Sequence, residues 1–224
     1  MIIGNGLIAK AFVDNISHDD YIIFASGVSD SNETDVREFI REHSLLRNTI
    51  EQNPNKKLIY FTSVLAETIS NAYYIHKNSM EKTIKLQAKD YIIYRIPQLI
   101  GKTGNKFNLV HYLKEDITNE KDIVIYKDII RSILDVDDLV DLVDYSKDKI
   151  NRDYVDVSYI EKISVLGLAH KIAARIGKYP LCKIVEGKGD LENWYFENST
   201  IVIEWIFMNV LMKGYTDKVL RKYL

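Results

Sequence analysis

The stretch MIIGNGLIAKAF, residues 1–12, contains a short apolar run, a Gly-x-Gly-x-x-Ala turn and the start of a helix. In such a turn Gly4 permits the tight bend, Gly6 lets a phosphate group approach the backbone, and Ala9 lets the helix pack closely on the strand. The following helix turns its free N–H groups toward that phosphate. The stretch is therefore typical of the turn that binds the pyrophosphate of a dinucleotide.

The composition predicts a globular protein with a substantial core. The chain has 224 residues, of which 46% are hydrophobic and 28% charged, and its net charge of -2 argues against a general nucleic-acid binder. Its one cysteine, Cys182, cannot form an internal disulfide. No leader segment or membrane-length apolar run is evident, so we expect a cytoplasmic protein without membrane or nucleic-acid partners. The most apolar stretch, residues 200–212, predicts a buried segment.

Strands and helices alternate along the chain, which predicts a parallel sheet with helices on both faces. The predicted strands are Met1–Ile3, Tyr21–Ala25, Lys57–Thr62, Tyr91–Ile96, Asp122–Tyr126 and Tyr154–Val157. The predicted helices are Leu7–Asp14, Asp35–Gln52, Asn71–Lys89, Asp137–Tyr145 and Ser164–Ile176. The last helix has an N-capping serine, Ser164, and a terminating glycine, Gly177. Between Pro97 and Asn119 the pattern is irregular.

A serine, a tyrosine and a lysine form the main candidate for catalysis. The strand ending in Ser63 is followed by a helix with Tyr73 and Lys77, whose i, i+4 spacing puts both side chains on one face. A phenol has an ordinary pKa of about 10, and a nearby ammonium group lowers it. Such a tyrosine can exchange a proton with a carbinol or carbonyl oxygen while hydride moves to or from a nicotinamide.

The Tyr-x-x-x-Lys spacing has little weight alone, because the chain has 15 tyrosines and repeats the spacing at Tyr145/Lys149 and Tyr179/Lys183. Only Tyr73 begins a long helix directly after a strand that ends in a serine. The alternative for Tyr73 and Lys77 is an exposed polar helix face.

In their order along the chain, these patterns resemble the extended short-chain dehydrogenase/reductases, in particular the nucleotide-sugar epimerases, dehydratases and reductases. Tyr73, Lys77 and Glu81 match the family's Tyr-x-x-x-Lys-x-x-x-Glu pattern. Residues 91–108 resemble its strand followed by Arg-x-Pro, residues 131–143 its arginine before a Val-Asp-Asp helix start, and residues 155–177 its last strand and helix. The resemblance implies a Rossmann-like, doubly wound α/β domain with a small C-terminal substrate lobe.

Under this resemblance the strand at Tyr21–Ala25 corresponds to the family's fourth strand, so that the second and third are missing. The residue that usually binds the adenosine ribose would be missing with them. The rival assignment makes Tyr21–Ala25 the second strand and Asp30 the ribose-binding acid. We favour the deletion because a long helix and Ser63 follow immediately.

The resemblance also implies a set of site residues. The catalytic residues would be Ser63, with Thr62 as a substitute, Tyr73 and Lys77. The residues around the cofactor would be Gly4, Asn5, Gly6, Leu7, Ile8, Ala25, Ser26, Gly27, Thr62, Tyr73, Lys77 and Pro97. The residues around the substrate would be Ser63, Gln98, Asn105, Lys106, Asn108 and Arg131. Arg131 suits a diphosphate, although a salt bridge to a neighbouring acid is the alternative.

The expected function is reduction or epimerisation of a nucleotide-linked keto-sugar in surface polysaccharide or glycan synthesis. A reductase is favoured, and NADP is preferred slightly over NAD. The alternative is a non-catalytic protein that binds a dinucleotide or sugar nucleotide. The missing strands predict weak or unusual cofactor binding.

The remaining expectations concern the assembly and individual residues. The resemblance implies a homodimer through helices 35–52 and 71–89. We expect a single domain, residues 1–224, with the dinucleotide-binding core mainly in 1–100 and the substrate lobe mainly in 101–135 and 150–224. Asp137 and Asp138 are expected to cap a helix, and His76 to be a core or surface residue. The five histidines have no metal-ligand spacing, so no metal is expected.

Overall fold

The computed structural model describes residues 1–13, 20–66, 70–102, 108–127, 129–186, 197–210 and 212–224. The strands are β1 (Ile2–Ile3), β2 (Tyr21–Phe24), β3 (Lys57–Ser63), β4 (Tyr91–Ile96), β5 (Gln98–Ile100), β6 (Asp122–Tyr126), β7 (Ile130–Arg131), β8 (Ile133–Asp135), β9 (Asp153–Asp156), β10 (Ile163–Ser164) and β11 (Leu181–Val185). The helices are α1 (Leu7–Phe12), α2 (Val36–Gln52), α3 (Ala72–Gln87), α4 (Leu109–Thr118), α5 (Val136–Ser146), α6 (Val165–Ile176), α7 (Thr200–Asn209) and α8 (Tyr215–Tyr223).

The main sheet is parallel and has the order β1-β2-β3-β4-β9 among the described residues. Its strands alternate between two apolar layers. Ile23, Ile59 and Ile92 face the layer that contains α1, α5 and α6, whereas Ile22, Leu58 and Ile93 face the layer formed by α2 and α3. The α/β, doubly wound architecture is therefore confirmed.

The position of β2 decides between the two sequence assignments. In the usual dinucleotide-binding order, 3-2-1-4-5-6, the second strand lies on the far side of the first from the fourth. If β2 were the second strand, β3 would be the third strand at the sheet edge and the next strand would lie beside β1. Instead β3 pairs onward with β4, β4 pairs with β9, and the described partner of β1 is β2. Strand β2 therefore occupies the place of the fourth strand, and the rival role of Asp30 as a second-strand acid is excluded.

The handedness of the connection from β1 through α1 to β2 is also consistent with the loss of two strands. The steps from β1 to β2 and from β2 to β3 go in the same direction, but α1 and α2 lie on opposite faces of the sheet. The two connections therefore have opposite hands, although such connections are almost always right-handed. This is expected if α1 keeps the face from which it would lead outward to a second strand.

Strands β5 to β8, β10 and β11 form three small two-stranded sheets beside the main one. Strand β5 pairs with β8, β7 with β10, and β6 with β11. Of these strands the sequence predicted only β6, and helix α4 lies in the region predicted to be irregular. Within the described ranges, no helix is long and apolar enough to cross a membrane.

Two further expectations need correction. Helix α5 is capped by Asp135, whose side chain accepts a hydrogen bond from the Asp137 N–H, so the helix begins before Asp137. In the stretch predicted to be buried, Val202 and Trp205 are buried, but Phe207 is 81% exposed because α7 packs with only one face. By contrast, Ser164 and Gly177 begin and end α6 as predicted.

Candidate active site

A cavity of about 670 Å³ opens at the carboxyl ends of the parallel strands, which is where α/β sheets bind ligands. Its size is within the range of small-molecule sites. The predicted residues that line it are Asn5, Gly6, Leu7, Ile8, Ala25, Ser26, Gly27, Thr62, Ser63, Tyr73, Lys77, Pro97, Gln98, Asn108 and Arg131. The predicted residues Asn105 and Lys106 lie outside the described residues.

The two glycines of the first turn have different roles. Gly4 has φ +126°, and a Cβ there would lie 2.3 Å from the carbonyl oxygen of Ala25, so only glycine fits between β1 and β2. Gly4 shapes the turn without lining the cavity. A Cβ at Gly6 would meet no atom within 4 Å, so the space above this glycine is open.

Ser63 ends β3 and lies beside Tyr74 rather than Tyr73. Its hydroxyl accepts a hydrogen bond from the Leu65 N–H at 3.1 Å and is hydrogen-bonded to the Tyr74 phenol. Burial raises the pKa of Tyr74, while the charge of Arg131 and the bond to Ser63 work in the opposite direction. Two phenols therefore border the cavity at the start of α3. Asn71 caps that helix by accepting a hydrogen bond from the Tyr74 N–H at 2.9 Å.

Tyr73 is half-buried, and the pKa of its phenol is raised rather than lowered. Burial is the main cause, and the nearby Tyr74, Glu42 and Asp30 act in the same direction. The Lys77 ammonium lies 5.4 Å from the centroid of the Tyr73 ring. The expectation that Lys77 lowers the pKa of Tyr73 is therefore not met in this structure, because Lys77 is engaged by another residue.

That residue is Glu42, which is fully buried beneath the cavity. Its carboxylate lies 3.0 Å from the Lys77 ammonium and 2.9 Å from Nε2 of His76. It also accepts hydrogen bonds from the Tyr60 phenol at 3.0 Å and the Val28 N–H at 2.8 Å. Burial favours a higher pKa for Glu42, but His76, Lys77 and the Val28 N–H lower it to about 2. His76 is thus a core residue, as expected.

The side of the cavity that the sequence predicts to bind substrate combines a cation with polar side chains. Arg131 lies on β7, and its guanidinium donates a hydrogen bond to the Ile130 carbonyl at 2.8 Å. Among the described residues, no carboxylate lies within ion-pair distance of Arg131, and burial lowers the pKa of its guanidinium. Asn108 caps α4 by accepting a bond from the His111 N–H, and the Gln98 side chain accepts one from the Leu109 N–H.

Two other family-pattern residues have structural roles. Glu81 on α3 and Arg95 on β4 form an ion pair at 2.7 Å, which ties the helix to the strand. The neighbouring Asp156 lies 3.8 Å from the Arg95 guanidinium.

Sequence reasoning missed several cavity residues, including Arg41, Tyr74 and Lys162. It also missed Glu42, which lies on the apolar stripe of α2 together with Leu46 and Ile50. A charged residue on such a stripe is a signal that could have been recognised, because it must find partners when buried. Arg41 and Lys162 offer no comparable signal.

Comparison with solved structures gives 12–17% sequence identity over most of the chain. The UDP-N-acetylglucosamine 4-epimerase of Methanobrevibacter ruminantium, solved with UDP-N-acetylmuramic acid, is 17% identical with a TM-score of 0.70, covering 91% of this chain and 74% of its own. The UDP-glucose 4-epimerase of Thermus thermophilus, solved with NAD, is 12% identical with a TM-score of 0.69, covering 92% of this chain and 78% of its own. The UDP-glucuronic acid 4-epimerase of Bacillus cereus, solved with UDP-glucuronic acid and NAD, is 15% identical with a TM-score of 0.67, covering 90% of this chain and 74% of its own.

The chain shares its fold with these epimerase structures. The neighbours are longer, in keeping with the loss of two strands beside β1. No protein-family model matches the sequence, and neither does any curated protein.

Proposed function

We propose that this protein is an NAD(P)-dependent reductase, or epimerase, of a nucleotide-linked keto-sugar, active in the synthesis of a surface polysaccharide or glycan. The observation that carries the proposal is the convergence of Gly6, Ser63, Tyr73 and Lys77 on one cavity at the carboxyl edge of the sheet. Gly6 follows β1, Ser63 ends β3, and Tyr73 and Lys77 lie on α3, so that three separate elements contribute to the lining of this cavity.

The proposed reaction divides the chemistry between cofactor and protein. A bound reduced nicotinamide supplies hydride to the carbonyl carbon. Tyr73 gives its phenolic proton to the carbonyl oxygen as the C=O π bond breaks, and solvent then reprotonates the phenolate. Ser63 donates a hydrogen bond to the same oxygen. Lys77 has three N–H donors, of which Glu42 engages two, so that one is available to a ribose hydroxyl.

The charge of the cavity supports an anionic ligand. Its lining includes the cations Arg41, Arg131 and Lys162, besides Lys77, whose charge is paired with Glu42, and among the lining residues that are described there is no carboxylate. The formal net charge of the chain is -2, so this local excess of cations is not a property of the whole surface. We assign the diphosphate of the sugar nucleotide to Arg131, whose guanidinium can bind phosphate oxygens in a bidentate manner.

Arg41 is the basis for preferring NADP slightly over NAD. Its guanidinium lies 3.5 Å from the hydroxyl of Ser26, which follows β2, the strand next to the edge strand β1. A phosphate on the adenosine ribose would find a cation there. Both cofactors remain part of the proposal, since solved neighbours contain NAD.

The test is cofactor titration followed by turnover. NADPH and NADH are titrated with nicotinamide fluorescence as the readout, and their oxidation is then followed with a set of UDP- and dTDP-linked 4-keto-sugars. Tyr73→Phe should lower turnover by at least about 100-fold without changing NADPH affinity. Tyr179→Phe is the matched control, because it belongs to another Tyr-x-x-x-Lys pair and is 89% exposed. Undiminished turnover in Tyr73→Phe would remove the mechanism.

A second candidate is a binding protein without turnover. It is favoured by two contacts of the proposed catalytic residues: Glu42 holds Lys77, and Ser63 bonds to Tyr74. This candidate predicts saturable binding of NADPH or a sugar nucleotide, with no oxidation of NADPH by any keto-sugar in the set. Slow but substrate-dependent oxidation that Tyr73→Phe removes would decide against it.

We also propose a homodimer that pairs α2 and α3 of one copy with the same helices of the other. Val36 and Ile40 on α2 and Ile75 and Leu86 on α3 are exposed apolar residues, which would become buried in such a contact. Light scattering should give twice the 26.0 kDa mass of the chain, and Ile40→Glu together with Ile75→Glu should give the monomer mass. A monomer in the unchanged protein would contradict this part of the proposal.

A further inference from the structure

A buried carboxylate under the proposed catalytic pair has no role in the mechanism above. Glu42 reaches the end of Lys77 from α2, and together they form an ion pair in which the carboxylate is fully buried and the lysine side chain is 3% exposed. Lys77 lines the cavity, and so do Val28 and Tyr60, which donate hydrogen bonds to Glu42. Gly27, which also lines the cavity, packs directly against the pair, because a Cβ at this position would lie 2.8 Å from the Lys77 ammonium.

We propose that Glu42 is a positioning residue that fixes the Lys77 ammonium beneath the cavity and cancels its charge, so that Tyr73 acts as a proton donor and the site favours reduction of a carbonyl. The inference rests on the proposed function, because it assigns a direction to the reaction of the same site. It names a residue that the Tyr-x-x-x-Lys pattern does not contain.

The geometry supports cancellation rather than simple packing. The carboxylate is 3.0 and 3.2 Å from the ammonium, whereas the ammonium is 5.4 Å from the centre of the Tyr73 ring. Coulomb energy falls with distance, so the phenol experiences an ion pair and not an isolated cation. Glu42 is itself held by donors from three places, the loop after β2, β3 and α3, which leaves it no freedom to release Lys77 by rotation alone.

The other charged and titratable groups near the two side chains do not restore a net positive field at Tyr73. Asp30 and Tyr74 act on Tyr73 in the same direction as Glu42. Arg41, on the same helix as Glu42, is engaged by Glu38 at 2.9 Å. Glu81 is paired with Arg95. His76 contributes its Nε2 hydrogen to Glu42, because a carboxylate only accepts.

The chemical consequence concerns the direction of proton transfer. Carbonyl reduction needs a protonated phenol: the oxygen gains the proton, the carbon gains hydride from a reduced nicotinamide, and the phenolate is reprotonated by solvent. Alcohol oxidation needs the phenolate to accept the proton instead. A cancelled ammonium charge leaves the phenol protonated and therefore suits the first direction.

The test reads Tyr73 directly and needs no substrate. Protein labelled with ¹³C at the tyrosine ring carbon that bears the hydroxyl is titrated by NMR from pH 8 upward, and the signal missing in Tyr73→Phe assigns the residue. In the unchanged protein the Tyr73 signal should remain that of the phenol through about pH 10. In Glu42→Gln, which keeps a hydrogen-bond acceptor but removes the negative charge, its midpoint should fall by about one pH unit or more.

A matched control and a charge-balanced variant complete the test. Glu51 lies on the same helix as Glu42 and is paired with the exposed Arg47. The control variant Glu51→Gln should therefore leave the titration midpoint of Tyr73 unchanged. The double variant Glu42→Gln/Lys77→Met removes both charges and should titrate like the unchanged protein; it also serves if Glu42→Gln alone does not fold. Equal midpoints in the unchanged protein and Glu42→Gln, or a raised midpoint in the double variant, would overturn the inference.

These outcomes are separate from those of the proposed function. Failure of NADPH to bind would remove the reductase proposal, yet the Tyr73 titration would still report whether Glu42 cancels Lys77. Conversely, a Tyr73 titration midpoint that does not change in Glu42→Gln would overturn the role of Glu42, but it would not contradict the proposed cofactor binding and turnover.

Discussion

The two sides of the cavity differ in how much protein supports them. The side formed by β3 and α3 lies inside the sheet, between β2 and β4, and is fixed by the ion pair of Glu42 and Lys77. The side formed by β1 lies at the edge of the described sheet, where α1 is short and the strands that would normally follow are missing. Under the proposed function, the elements that would place the reacting groups are thus retained, whereas the elements that would enclose the adenosine are not.

This difference suggests a division within the proposed site: the elements that would hold the reacting groups are distinct from those that would enclose the rest of the cofactor. Loss of outer strands removes contacts made by the non-reacting end of a dinucleotide. Such contacts contribute affinity, and they raise the rate of the chemical step only if they strengthen in the transition state. We therefore expect weak cofactor binding beside an intact reaction geometry.

The largest effect is expected at the turn that joins β1 to α1. Gly4→Ala should lower the free energy of unfolding by about 2–4 kcal/mol, because it places a Cβ against the Ala25 carbonyl in a left-handed backbone conformation. Gly6→Ala is the matched control, since its Cβ meets open space, and should keep normal stability while weakening NADPH binding. Denaturant unfolding and fluorescence titration measure the two effects. Equal stability losses would show that the turn does not hold β1 against β2.

The contrast between core and edge also marks where sequence reasoning succeeded. The buried strands of the main sheet could be predicted because each is a short apolar run rich in β-branched residues or tyrosine, followed by a helical pattern. Their sheet positions could be inferred because Ser63 and Tyr73 fix which strand is which. The strands β5, β7 and β8 could not, because two or three residues are too few to show a period, and they form only by pairing with distant chain.

The site shows the same limit. Sequence spacing placed Tyr73 and Lys77 on one helix face, but it could not show that a buried carboxylate from a different helix forms an ion pair with Lys77. The partner of a buried charge is a tertiary contact that local sequence does not encode. The pKa of Tyr73 was therefore predicted to be lowered, whereas burial and the neighbouring Tyr74, Glu42 and Asp30 raise it.

Acid should remove the contribution of Glu42 to the free energy of unfolding. The pKa of Glu42 is lowered from 4.5 to about 2, so its ionised form stabilises the fold above pH 4.5 and this contribution is lost as the pH falls toward 2. The stability difference between the unchanged protein and Glu42→Gln should therefore close by about 3 kcal/mol over that range. Denaturant unfolding at pH 2.5, 3.5, 4.5 and 6 measures it, with Glu51→Gln as the exposed control. A difference that does not vary with pH would mean that the pKa of Glu42 is the same in the folded and the unfolded protein.

The open edge should make the adenosine half of the cofactor contribute little. We expect NADH to bind no more than about tenfold more tightly than reduced nicotinamide mononucleotide, a difference of about 1.4 kcal/mol. The physical reason is that the missing strands would have formed the wall beside the adenosine. Competition against NADPH fluorescence gives both affinities. A preference for NADH of more than about 100-fold would show that another part of the chain or a second copy encloses the adenosine.

The smallest effect is expected at Arg41. Its replacement tests whether a single charged side chain contributes to binding of the cofactor. Arg41→Ala should weaken NADPH binding by about fivefold, near 1 kcal/mol, and NADH binding by less, because a half-exposed guanidinium interacts through solvent with the extra phosphate. Raising the salt concentration should reduce the NADPH preference of the unchanged protein for the same reason. Arg47→Ala is the matched control, since Arg47 lies on the same helix, is similarly exposed and does not line the cavity. The contrary outcome is that Arg41→Ala and Arg47→Ala lower the affinities for NADPH and NADH alike. The preference for NADPH would then depend on the overall charge of α2, and not on a specific contact of Arg41 beside Ser26 with the ribose phosphate.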